Sequence, residues 1–184
     1  MRFHLVDRVD EVCYDTYIVG VKCITLADDV FNEHFPGYPI FPGSLIQEGL
    51  AQLAGSFFEI ILNRRGWPMK RSILTVVNKM KFRRPAEPGD KLVYRAETKL
   101  LNEEYGVAKV TATLDDDICA EGEFLFSFIT IDDADLLRSR ETIYRICMKN
   151  TREIPNEDRR AGEEEAHAET IVGEEEKENS GDAG

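Results

Sequence analysis

The chain has 184 residues, a mass of 21.0 kDa, a formal net charge of −12 and a pI near 4.8. Its hydrophobic content of 42% suffices for a core, so the chain as a whole is not disordered. No apolar run approaches the roughly 20 residues that span a bilayer, Met1–Glu11 lacks the pattern of a secretory signal, and the acidic balance speaks against nucleic-acid binding through bulk charge.

The acid is unevenly placed. Residues 1–150 carry 19 basic and 23 acidic side chains, a net −4, whereas residues 151–184 carry 4 and 12, a net −8. The body is nearly balanced and the C-terminal stretch is a separate object. Cys13, Cys23, Cys119 and Cys147 are scattered, with no C-x-x-C pair and no histidine at ligand spacing. They read as free thiols in a reducing compartment, the cytoplasm, with no metal site.

Residues 2–12 and 15–26 are rich in β-branched and aromatic side chains and read as two strands of a hairpin, with Asp15 near the join. Asp28–Gly43 (DDVFNEHFPGYPIFPG) follows. Pro36, Pro39, Pro42, Gly37 and Gly43 crowd its second half, which excludes helix and central strand and leaves a stiff, ordered loop.

The loop feeds a helix from Ser44 to about Arg64, with Ser44 or Gly43 expected at the N-cap. Its apolar residues cover most of the circumference. Glu48, Gln52, Gly55 and Glu59 recur at helical spacing and share one polar stripe. A helix apolar nearly all round is a buried one, and a curved sheet is its expected setting.

Beyond the turn at Arg65–Pro68, residues 72–82, 91–101, 106–114 and 118–131 read as four more strands. Pro88-Gly89 suits the centre of a type II turn, and Asn102–Tyr105 and Asp115–Asp117 read as hairpin turns. The sum is an α+β domain, residues 1–131, in which an antiparallel sheet of about six strands surrounds one long helix. Residues 132–150 read as a further helix capped by Asp132 or Asp133, and 151–184 as an acidic disordered tail.

Glu48 is an oddity on a helix expected to be buried. Its carboxyl must be paired, hydrogen-bonded or protonated, and burial alone raises a carboxyl pKa, which suits a general acid. The bland alternative is a satisfied core carboxylate, with Gln52 one turn on as its partner. His34 lies on the stiff loop and suits a general base; a histidine that merely caps loop backbone is its alternative. The Gly43 N–H would stand at the positive end of the helix dipole, where it could stabilise an oxyanion. Gly43 also has a purely conformational reading, a tight entry to the helix. Acid, base and oxyanion donor point to proton abstraction beside a carbonyl.

The stretch HFPGYPIFPGSLIQEGLAQLAG (His34–Gly55) resembles the signature of the bacterial 3-hydroxyacyl-[acyl-carrier-protein] dehydratases of the FabZ type, roughly H-F-P-x-x-P-(I/V)-x-P-G-x-L-x-x-E-x-x-A-Q. FHLVDRV (Phe3–Val9) and KMKFRRPAEPGD (Lys79–Asp90) match as flanking motifs, so the resemblance covers about residues 3–131 in order. It implies a hotdog fold and an obligate homodimer, often assembled further into a hexamer, with the acyl tunnel at the dimer interface. It also implies that His34 is the catalytic base, Glu48 the catalytic acid and Gly43 the glycine whose N–H binds the thioester carbonyl, with His34 and Glu48 meeting across the dimer. The implied reaction converts a (3R)-3-hydroxyacyl thioester to the trans-2-enoyl thioester in fatty acid biosynthesis. The thioester acidifies its own C2–H, so no cofactor is called for, and the partner is acyl carrier protein.

Two departures stand out. Glu33 occupies the place where the family usually has Gly, and Gly49 the place where it has Ala. They keep a second reading open, a dehydratase of a specialised lipid or polyketide pathway. A non-catalytic acyl-binding hotdog subunit and a hotdog thioesterase are further alternatives. Arg64, Arg65, Lys70, Arg71, Lys79, Lys81, Arg83 and Arg84 form basic clusters that suit either solvent or an acidic carrier protein. The acidic tail is expected to compete for that basic face.

Overall fold

The computed structural model describes residues 4–67, 70–130 and 133–156. Met1–Ile154 form one compact unit. Pro155–Gly184 form a second, of which only Pro155 and Asn156 are among the described residues. The first unit runs β1 (Arg8–Cys13), β2 (Tyr17–Cys23), α1 (Gly43–Arg64), β3 (Lys70–Phe82), β4 (Lys91–Leu101), β5 (Tyr105–Leu114), β6 (Asp117–Thr130), α2 (Ala134–Cys147) and β7 (Arg152–Glu153). One sheet holds all seven strands in the order β3-β6-β5-β4-β2-β1-β7.

The expected arrangement of sheet and helix is present, with two corrections. Among the described residues the sheet has seven strands rather than about six, and the added pair β1–β7 is parallel, so the sheet is mixed. The seventh strand lies in the stretch assigned to the disordered tail. Thr151 Oγ1 donates to the Val9 carbonyl and the Ile154 N–H to the Val12 carbonyl, both at 2.8 Å, and these bonds hold it on β1. The rest of the tail, from residue 157 on, lies outside the described residues. So do Pro68 of the turn after α1, Ile131 at the end of β6 and Asp132 as a cap. Asp133 stands immediately before α2.

Local chemistry sets the turns. Asp115 and Asp116 both have positive φ, 50° and 71°, the pattern of a two-residue hairpin loop. The Asp90 N–H donates to the Glu87 carbonyl at 3.1 Å and Gly89 has φ 104°, as a type II turn over Pro88-Gly89 requires. Asn102 Oδ1 accepts the N–H groups of Glu104 and Tyr105 at 2.9 Å, closing the β4–β5 connection.

Helix α1 lies against the inner face of β2 to β6. Leu50, Leu53, Phe57, Phe58 and Ile61 meet Ile18, Leu92, Val110, Phe124 and Phe126 in one core. The helix ends in a Schellman motif: Trp67 N–H donates to the Leu62 carbonyl, Gly66 N–H to that of Asn63, and Gly66 has φ 72°. By length and composition α1 is apolar enough to cross a membrane, contrary to the expectation that no run comes close. It is mostly buried inside the protein, as the core helix of a globular fold is. At the other edge of the sheet, β3 pairs among the described residues with β6 alone and exposes Ile73, Val76, Val77 and Phe82.

Candidate active site

His34, Gly43 and Glu48 sit around the entry to α1. Asp29–Asn32 form one turn of 3-10 helix ahead of His34, and the His34 N–H donates to the Val30 carbonyl at 3.0 Å. Phe35 and Tyr38 exchange backbone hydrogen bonds about Gly37, whose φ is 79°. The Phe41 N–H then ties the loop to the Ala86 carbonyl at 2.7 Å. The loop is thus ordered by its own backbone, as its prolines require, and the His34–Phe35 peptide is cis.

The ring of His34 is fixed at one nitrogen. Nδ1 lies 2.9 Å from the Ile40 carbonyl, and Phe35 stacks on the ring with centroids 4.3 Å apart. A carbonyl only accepts, so Nδ1 carries the proton of the neutral ring. Nε2 then keeps its lone pair, which is the state a general base needs.

The helix begins differently from expectation. Pro42, not Ser44 or Gly43, is the N-cap, and no side chain caps the helix. The Pro42 carbonyl accepts from the N–H groups of Leu45 and Ile46. Gly43 is the first helical residue, where an N–H has no acceptor within the helix. A Cβ on Gly43 would stand 3.1 Å from the ring of Phe82, so the residue also makes room for that side chain.

Glu48 is half-buried rather than buried within the chain. Its Oε1 accepts from Gln52 Nε2 at 3.0 Å, and Gln52 Oε1 accepts the Leu5 N–H at 2.9 Å. The carboxyl is therefore oriented by a side chain that the first strand segment holds in turn. Among the described residues no hydrogen bond joins His34 to Glu48 within one chain.

The buried carboxylate of the polar stripe is Glu59, only 6% exposed. It accepts the Ser72 N–H and the Tyr144 O–H, each at 2.6 Å. The stripe spacing singled it out, but only the fold supplies its partners. Tyr94 was also missed. It is fully buried, its hydroxyl has no partner among the described residues, and its ring fills the space where a Cβ on residue 49 would lie. The glycine at 49 therefore reflects close packing of the helix on β4.

The basic clusters divide. Arg65 pairs with Asp15 at 2.7 Å, Arg83 with Glu121, and Arg84 with Asp115 at 3.4 Å. Arg71, Lys79 and Lys81 are exposed on β3 and make no ion pair among the described residues. No disulfide joins the four cysteines, and no group of three or more His, Cys, Asp or Glu among the described residues is placed to hold a metal ion.

The FabA-like domain family matches residues 1–123. The 3-hydroxyacyl-[acyl-carrier-protein] dehydratase FabZ of Acetivibrio thermocellus is 40% identical over 127 residues, covering 69% of this chain and 85% of its own length. That of Protochlamydia amoebophila is 41% identical over 128 residues, covering 69% and 80%. Among solved structures, a dehydratase heterocomplex from Xenorhabdus doucetiae superposes with a TM-score of 0.57 at 15% identity, over 74% of this chain and 89% of that one. A hot-dog-like protein from Thermanaerovibrio acidaminovorans gives 0.52 at 20% identity, over 71% and 90%. At such identities the structural likeness speaks for the fold alone.

Proposed function

The chain belongs to the FabA-like family, as a hotdog-fold hydro-lyase of the FabZ dehydratase type, and we propose that it removes water from (3R)-3-hydroxyacyl thioesters carried on acyl carrier protein. His34 Nε2 takes the proton from C2. The Gly43 N–H stabilises the enolate-like oxygen that forms on the thioester carbonyl. Glu48 gives its proton to the departing C3 hydroxyl, which leaves as water and yields the trans-2-enoyl thioester. The observation that carries this reading is the bond from His34 Nδ1 to the Ile40 carbonyl, which leaves Nε2 with its lone pair in the neutral ring. The carbonyl of the thioester acidifies C2–H, so the reaction needs no metal or redox group.

The site is assembled from two protomers, with His34 from one and Glu48 from the other. The exposed apolar edge of β3 supports this, since an unpaired apolar edge strand is a ready pairing surface. Two such edges joined would bury Ile73, Val76 and Val77 and close the sheet across a homodimer. Acyl carrier protein, an acidic partner, would meet Arg71, Lys79 and Lys81 nearby. Four cysteines outside any disulfide, Cys23 of them exposed, fit a reducing compartment such as the cytoplasm.

Gly49 gives no support to a specialised pathway, because Tyr94 accounts for it. Glu33 is exposed and stays unexplained. Purified protein should hydrate a crotonyl thioester, and His34→Ala and Glu48→Gln should each cut that activity to a small but measurable residual rate. Full activity in both variants would overturn the assignment.

A further inference from the structure

The polar stripe of α1 is longer than the proposed reaction uses. Glu48 and Gln52 serve the site; Gly55 and Glu59 continue the same face through the buried half of the helix. Three segments cover it: the one before β1, β3 and α2. The Leu5 N–H holds Gln52 at 2.9 Å, Ser72 Oγ donates to the Gly55 carbonyl at 3.0 Å, and Ser72 N–H and Tyr144 O–H take the two oxygens of Glu59. Tyr144 lies on α2, beyond the residues that the family match covers.

Helix α2 also reaches the other end of the stripe. Cys147 Sγ stands 3.2 Å from His4 Nε2 and 3.6 Å from the Val6 carbonyl. These residues flank Leu5, the donor that sets Gln52 and hence Glu48. One added helix therefore grips the catalytic helix at Glu59 and holds the segment that orients Glu48. A helix fixed at two points on one face cannot rotate about its axis without breaking one of them. Removing the Tyr144 hydroxyl takes a donor from an oxygen of a buried carboxylate, where each such bond weighs heavily.

We propose that Tyr144, through Glu59, is a positioning residue for Glu48, so that the C-terminal helix is part of the catalytic apparatus. The proposal rests on the reading of Glu48 as the acid. It does not place Tyr144 in contact with substrate.

The test uses the full chain and the variant Tyr144→Phe. A misplaced acid slows the chemical step more than it weakens binding, so kcat should fall about tenfold with KM within about twofold of wild type. In a Glu48→Gln background, Tyr144→Phe should lower the residual rate no further, because the effect passes through Glu48. Glu59→Gln retains an acceptor for the Ser72 N–H. It should show the same kcat loss, and it keeps the question open to measurement if Tyr144→Phe does not fold. A Tyr144→Phe protein that loses thermal stability but keeps wild-type kcat would overturn the proposal, as would an equal further loss in the Glu48→Gln background. Failure of the underlying reading looks different: the wild type would be inactive, or Glu48→Gln would leave the rate unchanged.

Discussion

The ring of Tyr94 occupies the place of the side chain that residue 49 lacks. An ideal Cβ on Gly49 would lie 2.6 Å from Tyr94 Cε2 and 2.7 Å from its hydroxyl oxygen. No real contact is that short, so the glycine on α1 and the tyrosine on β4 depend on each other. Gly49→Ala gains about 1 kcal/mol of helix propensity and loses about 1–3 kcal/mol to overpacking. The variant should be less stable in denaturant unfolding. Adding Tyr94→Leu in that background should recover most of the loss. A Gly49→Ala protein more stable than wild type would show that the ring moves aside freely.

The hydroxyl of the same tyrosine is buried without a partner among the described residues, and burial pushes its pKa up, so it stays protonated. A lone buried donor is costly. Tyr94→Phe removes it while keeping the ring, and should raise stability by about 1 kcal/mol, seen as a higher Tm. A lower Tm would mean that the hydroxyl has a partner in solution.

Glu11 anchors the C-terminal strand to the sheet. The Tyr17 hydroxyl, at 2.5 Å, and after it the Arg152 guanidinium hold its carboxyl below the usual glutamate range. A carboxyl depressed in the folded state stabilises the fold above its unfolded pKa, and that contribution disappears as the pH falls through the folded value. Tyr17→Phe should therefore be destabilising near neutral pH, and the gap from wild type should close between about pH 5 and pH 3. An unchanged gap in denaturant midpoints at low pH would exclude this linkage.

The proposed docking of an acidic carrier to Arg71, Lys79 and Lys81 would be electrostatic and so weaken with salt. For carrier-borne substrate, kcat/KM should fall with ionic strength, and Lys79→Glu with Lys81→Glu should flatten that dependence. The same acyl group on free pantetheine should show neither effect. Equal salt responses for the two substrates would place docking elsewhere.

Much of this protein is legible from residue types alone. The crowded prolines before Gly43 dictate an ordered loop, and the nearly all-round apolar pattern of α1 dictates its burial. Asp115, Asp116 and Gly89 stand where turns need positive φ. What could not be read is what depends on distant partners. The sequence spacing puts Glu48 and Glu59 on one stripe, but which is buried depends on Ser72 and Tyr144 closing over Glu59. Likewise, β7 escapes a composition argument. It is two residues long in an acidic stretch, and it is held by Thr151, Ile154 and the Arg152–Glu11 pair rather than by apolar burial. Gly49 was legible as a departure from the family pattern, but its partner on β4, Tyr94, was not.

The proposal of an active site shared between two protomers is tested most directly by mixing subunits. His34→Ala and Glu48→Gln proteins should each keep only a small residual activity. When they are unfolded together and reassembled in equal amounts, about half the dimers are mixed, and each of these carries one site with both residues intact. A site built across the dimer should then recover about a quarter of wild-type activity. If the mixture stays as inactive as its components while mixed dimers are present, His34 and Glu48 do not work together across two protomers.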